Sequence, residues 1–196
     1  MSPPGTVEGD ERIRLFLALE LPDDAVEALV GWGEEHLTGG RPVTSFHITL
    51  AFLGSRPQSE LGPIVDVLRH EAAETEPFLL EPVRYRETQS VGMLVLADPS
   101  GRATALAERV QLGLERLGVY ERERRPWLPH VTVLRFRERP RIRPPLPALE
   151  PFAPSGAAAL LSRLHPSGAR YETLESCAFG ESCVDRAEVD EERMRR

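Results

Sequence analysis

The chain has 196 residues, 41% of them hydrophobic and 28% charged, and a formal net charge of −7. This length and composition are typical of one compact globular domain rather than of a disordered or membrane protein. The sequence contains no run of about 18 apolar residues, so we expect no membrane-spanning helix. The acidic balance also argues against a protein that binds polyanions without specificity.

The first half of the chain alternates between predicted strands and helices. Runs of large apolar and β-branched residues bounded by Pro or Gly indicate strands, and apolar residues that recur every three or four positions indicate helices. Asp23 and Asp24 are typical of a helix start, and Gly39 and Gly40 of a helix end. The predicted order is strand, helix, strand, helix, strand, at residues 12–21, 24–38, 46–53, 59–75 and 78–85.

The second half of the chain starts this order again. An apolar run that ends in the turn sequence Asp-Pro-Ser-Gly is followed by a helical face and then by a β-rich run, at residues 91–97, 106–117 and 128–137. Strand, helix and strand therefore occur twice in the same order. This repetition predicts a duplicated, two-lobed fold rather than a solenoid, because two units are too few for a solenoid.

The C-terminal part is predicted to close the fold with a hairpin. Six prolines between residues 139 and 154 indicate an irregular connection. Two β-compatible runs follow, at 158–164 and 171–179, and the sequence His-Pro-Ser-Gly between them favours a turn. We therefore expect the last two strands to pair with each other.

Two short stretches share one pattern: Phe-His-Ile-Thr-Leu around His47 and Pro-His-Val-Thr-Val around His130. Successive side chains of a strand point to opposite faces, so His47 and Thr49 share one face, as do His130 and Thr132. If the two lobes face each other, two imidazoles and two hydroxyls meet in one cleft. In the predicted strand at 46–53, we expect Phe46, Ile48, Leu50 and Phe52 to point to the other face, towards the core.

These four polar groups suit the cleavage of a phosphodiester without a metal ion. A neutral imidazole takes a proton from the attacking water while a protonated imidazole gives one to the leaving oxygen. Histidine populates both states near neutral pH because its ordinary pKa is about 6.5. Threonine hydroxyls donate to the non-bridging oxygens that hold negative charge. A single His-x-Thr is usually an ordinary strand histidine, but two copies at matching places favour a function.

Other interpretations of the polar residues are weaker. Zinc needs three or four ligands, and the sequence has neither the spaced histidine motif of a zinc enzyme nor a cysteine cluster. A serine hydrolase needs a Gly-x-Ser-x-Gly turn, which the sequence lacks. We interpret the remaining histidines, His36, His70 and His165, as surface residues, and Cys177 and Cys183 as reduced thiols.

Positive charge is concentrated between residues 121 and 143, where eight arginines stand among three glutamates. This run is either a solvated strand edge and loop or a rim that attracts phosphate groups, and the sequence leaves both interpretations open. Charge reversal at Arg139, Arg141 and Arg143 separates them, because only a phosphate-attracting rim makes the salt dependence of binding change.

At the two motifs the sequence resembles the two-histidine (2H) phosphoesterase superfamily, most closely its RNA 2′,3′-cyclic phosphodiesterase branch, historically called 2′-5′ RNA ligases. Residues 14–22 resemble the opening strand of that family, and residues 46–54 its first motif. Residues 129–135 resemble the second motif, and residues 162–171 the closing hairpin. The resemblance therefore extends over about residues 12–180.

This resemblance implies an α+β fold that is bilobal and pseudo-twofold, with two antiparallel β-sheets around a central cleft and helices on the outside. It implies metal-independent hydrolysis of RNA 2′,3′-cyclic phosphate ends to 2′-phosphomonoesters, without a cofactor. By carry-over His47 and His130 are the acid/base pair, with His47 as the acid that protonates the 3′-oxygen, although the sequence leaves that order open. The phosphate-binding residues are Thr49, Thr132 and Arg135.

Two details depend on local geometry. Arg135 lies five positions after His130, so in a flat strand it points away from the cleft, and either a bulge redirects it or it is a surface arginine. The family commonly has Leu-Ala before this arginine, and here Val133-Leu134 stands in those places. The aromatic residues Phe46, Trp127 and Phe136 are the candidates for stacking on a nucleobase, or else belong to the core.

We expect a single domain of two intertwined lobes at residues 11–182, with flexible termini at 1–10 and 185–196. The N-terminus lacks the basic start and apolar stretch of a secretory signal, so we expect a cytoplasmic protein. We expect a monomer that acts on RNA 3′ ends or small cyclic nucleotides and does not bind membranes. The open alternatives are a small substrate such as a 2′-5′ oligonucleotide or an ADP-ribose cyclic phosphate, weak 2′-5′ RNA ligation, and a non-catalytic module that binds RNA ends.

Overall fold

The structure is a computed structural model that describes residues 11–165 and 168–180. These residues form eight strands and three α-helices. The strands are β1 (Arg12–Glu20), β2 (Arg41–Pro42), β3 (Ile48–Pro57), β4 (Glu81–Glu87), β5 (Val91–Ala97), β6 (His130–Arg135), β7 (Gly156–His165) and β8 (Gly168–Cys177). The helices are α1 (Asp23–His36), α2 (Leu61–Ala73) and α3 (Arg102–Arg116).

The strands pair antiparallel in the order β4-β5-β6-β3-β1-β7-β8, with β2 also paired to β6. In the described residues β3 and β6 share a single ladder pair, Ile48–Val131. The sheet therefore has a His47 half, made of β1, β3, β7 and β8, and a His130 half, made of β2, β4, β5 and β6. The predicted α+β class with antiparallel strands is confirmed, and the two predicted sheets correspond to these halves.

Helices α1 and α3 each follow a strand of one half of the sheet and contact the other half. Helix α1 follows β1, yet its Trp32 packs edge-on against Tyr85 of β4, and its indole Nε1 donates to the carbonyl of Pro145 at 2.9 Å. Helix α3 follows β5, yet Gln111 Nε2 on this helix donates to Leu50 O of β3 at 2.8 Å. One hydrophobic core runs beneath both halves, so the chain interlaces them around shared packing.

The order of elements predicted from the sequence is confirmed, and the differences lie at their ends. Helix α1 begins at Asp23, directly after Pro22. Strand β3 begins at Ile48, so His47 lies immediately before the strand. Strand β2 is not predicted, because two exposed residues carry no periodic pattern and only pairing with β6 defines them. The closing hairpin β7–β8 is confirmed.

The remaining predictions concern the two ends of the chain, the cysteines, the proline-rich connection and the absence of a membrane-spanning helix. Residues 1–10 and 185–196, Cys183 and the side chain of His165 lie outside the described residues, while Cys177 is buried. The proline-rich connection at 139–154 has no helix or named strand, apart from an isolated bridge between Phe152 and Leu80. Among the residues described, no helix is long and apolar enough to cross a membrane.

Candidate active site

The two His-Thr motifs meet at the joint between the halves of the sheet. Ile48 pairs with Val131 in an antiparallel ladder. Extending this register by one residue on either side places His47 across from Thr132 and His130 across from Thr49. The four polar side chains therefore share one face, and the two histidines are diagonal neighbours, whose Cα atoms are typically about 7–8 Å apart and whose Cβ atoms are somewhat closer.

Each imidazole is anchored in the same way. Nδ1 of His47 lies 3.1 Å from the carbonyl oxygen of Ser45, and Nδ1 of His130 lies 2.8 Å from the carbonyl oxygen of Leu128. A carbonyl oxygen only accepts, so Nδ1 is the donor in both rings. This bond leaves Nε2 of each histidine as the nitrogen that can meet a ligand.

A β-bulge brings Arg135 to the same face as Thr132. Gly92 of β5 pairs with Leu134 and Met93 pairs with Thr132, so β6 has one extra residue, Val133, at this point. Val133 and Leu134 are both buried, and Arg135 is exposed. The bulge that the odd spacing from His130 requires is therefore present, and Arg135 lines the cleft.

Strand β3 contains a bulge at the matching position. Leu17 of β1 pairs with Ala51 and Ala18 pairs with Thr49, so Leu50 is the extra residue. Leu50 and Ala51 are both buried, and the next residue, Phe52, is 49% exposed and lines the cleft. The prediction that Phe52 faces the core is wrong, because strict alternation does not continue through a bulge.

The cleft holds about 340 Å³ and contains most of the predicted site residues. Its lining includes His47, Thr49, Thr132 and Arg135; His130 lies beside it, half-buried on β6. The sequence did not predict that the remaining lining residues belong to the cleft; these are Arg14, Phe16, Arg41, Phe52, Ser162 and Tyr171. Alternation along β1 and β7 indicates which of these share a face, but only the pairing of the strands shows which face meets the cleft.

Aromatic rings surround His47. Its ring centroid lies 4.9 Å from that of Phe16 and 5.0 Å from that of Tyr171, which meets the imidazole edge-on. Burial lowers the pKa of His47 to about 4, and the charges of Arg135 and His130 act in the same direction, against the hydrogen bond to Ser45 O. In this site His47 is therefore a neutral imidazole near pH 7.

The aromatic residues proposed for base stacking lie in other places. Phe46 is partly buried against the core, and Phe136 is 8% exposed. Trp127 Nε1 donates to Thr49 O at 2.9 Å, so this indole supports β3 from behind the site. Phe52 is the exposed aromatic ring of the cleft, and the guanidinium carbon of Arg14 lies 4.9 Å from its centroid.

Comparison with known proteins shows the family of this chain. The family model of the 2′-5′ RNA ligase superfamily matches residues 20–165. The chain belongs to this superfamily. A Thermus thermophilus protein named RNA 2′,3′-cyclic phosphodiesterase is 33% identical over 196 residues, which cover 92% of this chain and 98% of that protein.

Solved structures of other proteins share the fold of this superfamily member. The crystal structure of the Thermus thermophilus protein TT0787 has a TM-score of 0.74 and 30% identity, and covers 87% of this chain and 100% of that one. The crystal structure of Escherichia coli LigT complexed with 3′-AMP has a TM-score of 0.75 and 24% identity, with the same coverage. The second likeness shows the fold alone.

The arginine-rich segment of this superfamily member is only partly available to a ligand. Glu87, whose side chain is 3% exposed, accepts hydrogen bonds from Arg139 Nε at 2.9 Å and from the backbone nitrogens of Arg141 and Ile142 at 3.0 and 2.9 Å. Burial alone would raise the pKa of Glu87, but these bonds outweigh it and hold the pKa below its usual value. Arg139 therefore fixes the loop.

The other histidines stand apart from the cleft. His36 lies at the end of α1, half-buried and 3.8 Å from Glu35, and His70 is exposed on α2. Residues 11–165 and 168–180 contain no group of three or more His, Cys, Asp or Glu side chains that could hold a metal ion. The polar groups that can act on a substrate in the cleft are therefore hydroxyls, imidazoles and guanidiniums.

Proposed function

We propose that this protein hydrolyses the 2′,3′-cyclic phosphate at the 3′ end of RNA to a 2′-phosphomonoester. The observation that carries this proposal is the diagonal placement of His47 and His130 on one sheet face, each with Nε2 available and each across from a threonine. The Thermus thermophilus relative with 33% identity carries the name of that activity. Its likeness over nearly the whole chain supports the same reaction class here.

The charge state of His47 favours it as the base. A pKa of about 4 makes its Nε2 a free acceptor at neutral pH, aimed at the cleft. In the proposed step, Nε2 of His47 takes a proton from water as the water oxygen bonds to phosphorus. The bond from phosphorus to the 3′-oxygen breaks, and His130 Nε2–H protonates that oxygen. This order reverses the assignment made from the resemblance.

Three side chains are placed to hold the phosphate. Thr49 and Thr132 lie beside the two histidines and both line the cleft. Their hydroxyls donate to the non-bridging oxygens, where negative charge collects as phosphorus becomes five-coordinate. Arg135, which the bulge returns to this face, adds a charge-assisted donor. We propose no metal in this step, since the guanidinium supplies positive charge beside the phosphate.

Phe52 is placed to stack on the terminal nucleobase. Half of its surface is exposed, and it lines the same cleft as His47 and Thr49. Every base has a π-face, so stacking on a phenyl ring is tolerant of sequence. Arg14, whose guanidinium lies over the ring, fixes its orientation by a cation–π contact. Binding of the base on the His47 half leaves its cyclic phosphate at the joint.

The proposal is tested by incubating the protein with 2′,3′-cyclic AMP in EDTA and separating the products. We expect 2′-AMP, at a rate that EDTA does not change, and no turnover by the double variant His47→Ala/His130→Ala. Formation of 3′-AMP instead would show that the 2′-oxygen leaves. Activity that EDTA removes would contradict the metal-free step, and binding without turnover would favour a non-catalytic module.

A further inference from the structure

We infer that the cleft face of the His130 half carries a track for the phosphates of an RNA strand, built from Arg84 and Arg86 of β4. The inference rests on the proposed function and adds to it the residues that bind the RNA chain upstream of the reacting phosphate. A free nucleotide has no such phosphates, so it should not use this track.

Two rows of side chains run straight across the sheet from β4 to the site. The pairings of β4 with β5 and of β5 with β6 define both rows. The first row is Arg84, Val95 and His130. The second row is Arg86, Met93 and Thr132. Directly opposed residues on neighbouring strands point to the same face, so both arginines lie on the face that carries the site.

The arginines are the charged, solvent-facing ends of these rows. Arg84 and Arg86 are exposed, whereas Val95 and Met93 between them and the site are buried. In the part of the chain that the structure describes, no hydrogen bond or ion pair involves either arginine's side chain. Their guanidiniums are therefore available to a ligand, unlike that of Arg139, which the buried Glu87 holds.

Their distance from the site suits the next phosphates of a chain rather than the reacting one. Strand β4 is two strand spacings from β6, or about 10 Å. Side chains two residues apart on one strand repeat every ~7 Å along it. The terminal base is proposed to lie on Phe52, in the opposite direction, so a mononucleotide does not reach Arg84 or Arg86.

The track of Arg84 and Arg86 ends at an acidic residue. Glu81 pairs with Ala97, and Arg84 pairs with Val95, so the carboxylate follows the arginines on the same face, farther from the site. Toward the joint, Arg135 pairs with Arg41 of β2 and both line the cleft. The track therefore begins at the reacting phosphate and stops at Glu81. A positive groove that follows the backbone is the usual device for binding single strands without sequence preference.

The test compares two substrates, 2′,3′-cyclic AMP and a short oligoribonucleotide that ends in a 2′,3′-cyclic phosphate. For the variant Arg84→Ala/Arg86→Ala we expect KM for the oligonucleotide to rise about tenfold, with hydrolysis of 2′,3′-cyclic AMP unchanged. The log–log slope of oligonucleotide affinity against salt should become shallower by about 0.7 for each phosphate that the variant no longer neutralises. The variant Arg84→Lys/Arg86→Lys should retain most of the affinity.

The matched control is Arg102→Ala/Arg116→Ala, which removes the same charge from the outer helix α3 and should leave both substrates unaffected. Equal effects of the β4 variant on both substrates, or no effect on the oligonucleotide, overturn the inference. If the wild type hydrolyses neither substrate, the proposed function fails by itself. In that case the track is tested by binding of an RNA that ends in a 2′-phosphate. If the track exists, Arg84→Ala/Arg86→Ala binds this RNA more weakly than the wild type at low salt.

Discussion

The two motif strands are nearly copies of each other in backbone geometry. Each places a histidine and a threonine on the cleft face, ties Nδ1 to the carbonyl two residues earlier, and bulges directly after the threonine. They differ in the residue that the bulge delivers to the cleft, which is Phe52 on β3 and Arg135 on β6.

The residues that line the cleft next to the two strands differ in the same way, aromatic on one half and basic on the other. On the His47 half, Phe16, Tyr171 and Phe52 form an aromatic wall. On the His130 half, Arg135 and Arg41 line the cleft, and arginines follow on β4. Duplicated backbone geometry thus repeats the His-Thr arrangement, while the surroundings of the two strands differ. Burial among aromatic rings lowers the pKa of His47, whereas guanidiniums line the cleft on the His130 half.

The largest effects on turnover are expected for the two histidines, and a modified substrate distinguishes the proposed base from the proposed acid. His47→Ala and His130→Ala should each lower turnover of the cyclic substrate roughly 10²–10⁴-fold. A substrate with sulfur in place of the 3′-oxygen has a leaving group that needs no proton. We expect it to restore turnover by His130→Ala and not by His47→Ala. Restoration of His47→Ala instead would reverse the proposed roles.

Removal of the guanidinium on the His130 half should have the next largest effect. Arg135→Ala removes a charged donor from the transition state, and kcat should fall about 10²-fold, with partial recovery in Arg135→Lys. Arg137→Ala, an exposed arginine two positions later, is the control. A fall in kcat of similar size for both variants would mean that Arg135 acts through general surface charge.

The equivalent change on the His47 half should affect binding instead of chemistry. Phe52→Ala should raise KM roughly 5- to 100-fold with little change in kcat, because it removes stacking with the base. Phe52→Tyr keeps the ring and should keep the KM. A loss confined to kcat would place Phe52 with the phosphate ligands and would remove the distinction between the two walls.

The aromatic wall should also set the pH range of activity. Because burial lowers the pKa of His47 to about 4, this base stays neutral, and kcat/KM persists, until the pH falls towards 4. Tyr171→Ser opens the wall, so the pKa should rise towards its ordinary value and activity should be lost at a higher pH. Profiles of kcat/KM against pH measure this shift, with apparent values that belong to the histidine pair. An unmoved acid limb would assign it to another group.

The smallest effect on turnover is expected at Glu87, which holds the loop at residues 139–142. Glu87→Gln weakens the bonds to Arg139 and Ile142 and should lower the free energy of unfolding by about 1–3 kcal/mol near pH 7, with kcat almost unchanged. The folded pKa of Glu87 lies below 4.5, so its stabilisation is present above that pH and is lost as the pH falls through the folded value. Urea unfolding at pH 7 and at a series of lower pH values should show the difference between the two proteins narrow as the pH falls below 4.5.

The sequence predicted the order of strands and helices because periodicity and turn residues act locally. It also indicated the paired His and Thr positions, since alternation holds over the three residues from His47 to Thr49. It failed at Phe52, where a bulge between two strands changes the count. Bulges and strand pairing depend on the partner strand, and for this reason the cleft-lining Tyr171 carried no recognisable signal. The odd spacing of Arg135 was the one local sign that a bulge was needed.

The short joint at Ile48–Val131 requires that the strands beyond it have other partners for their carbonyl groups. Two side chains supply them: Trp127 donates to Thr49 O, and Gln111 donates to Leu50 O. The two carbonyl groups next to the joint are therefore already hydrogen-bonded by side chains of the protein. An unpartnered buried carbonyl costs free energy in the folded state, and these bonds remove that cost where the ladder between β3 and β6 ends.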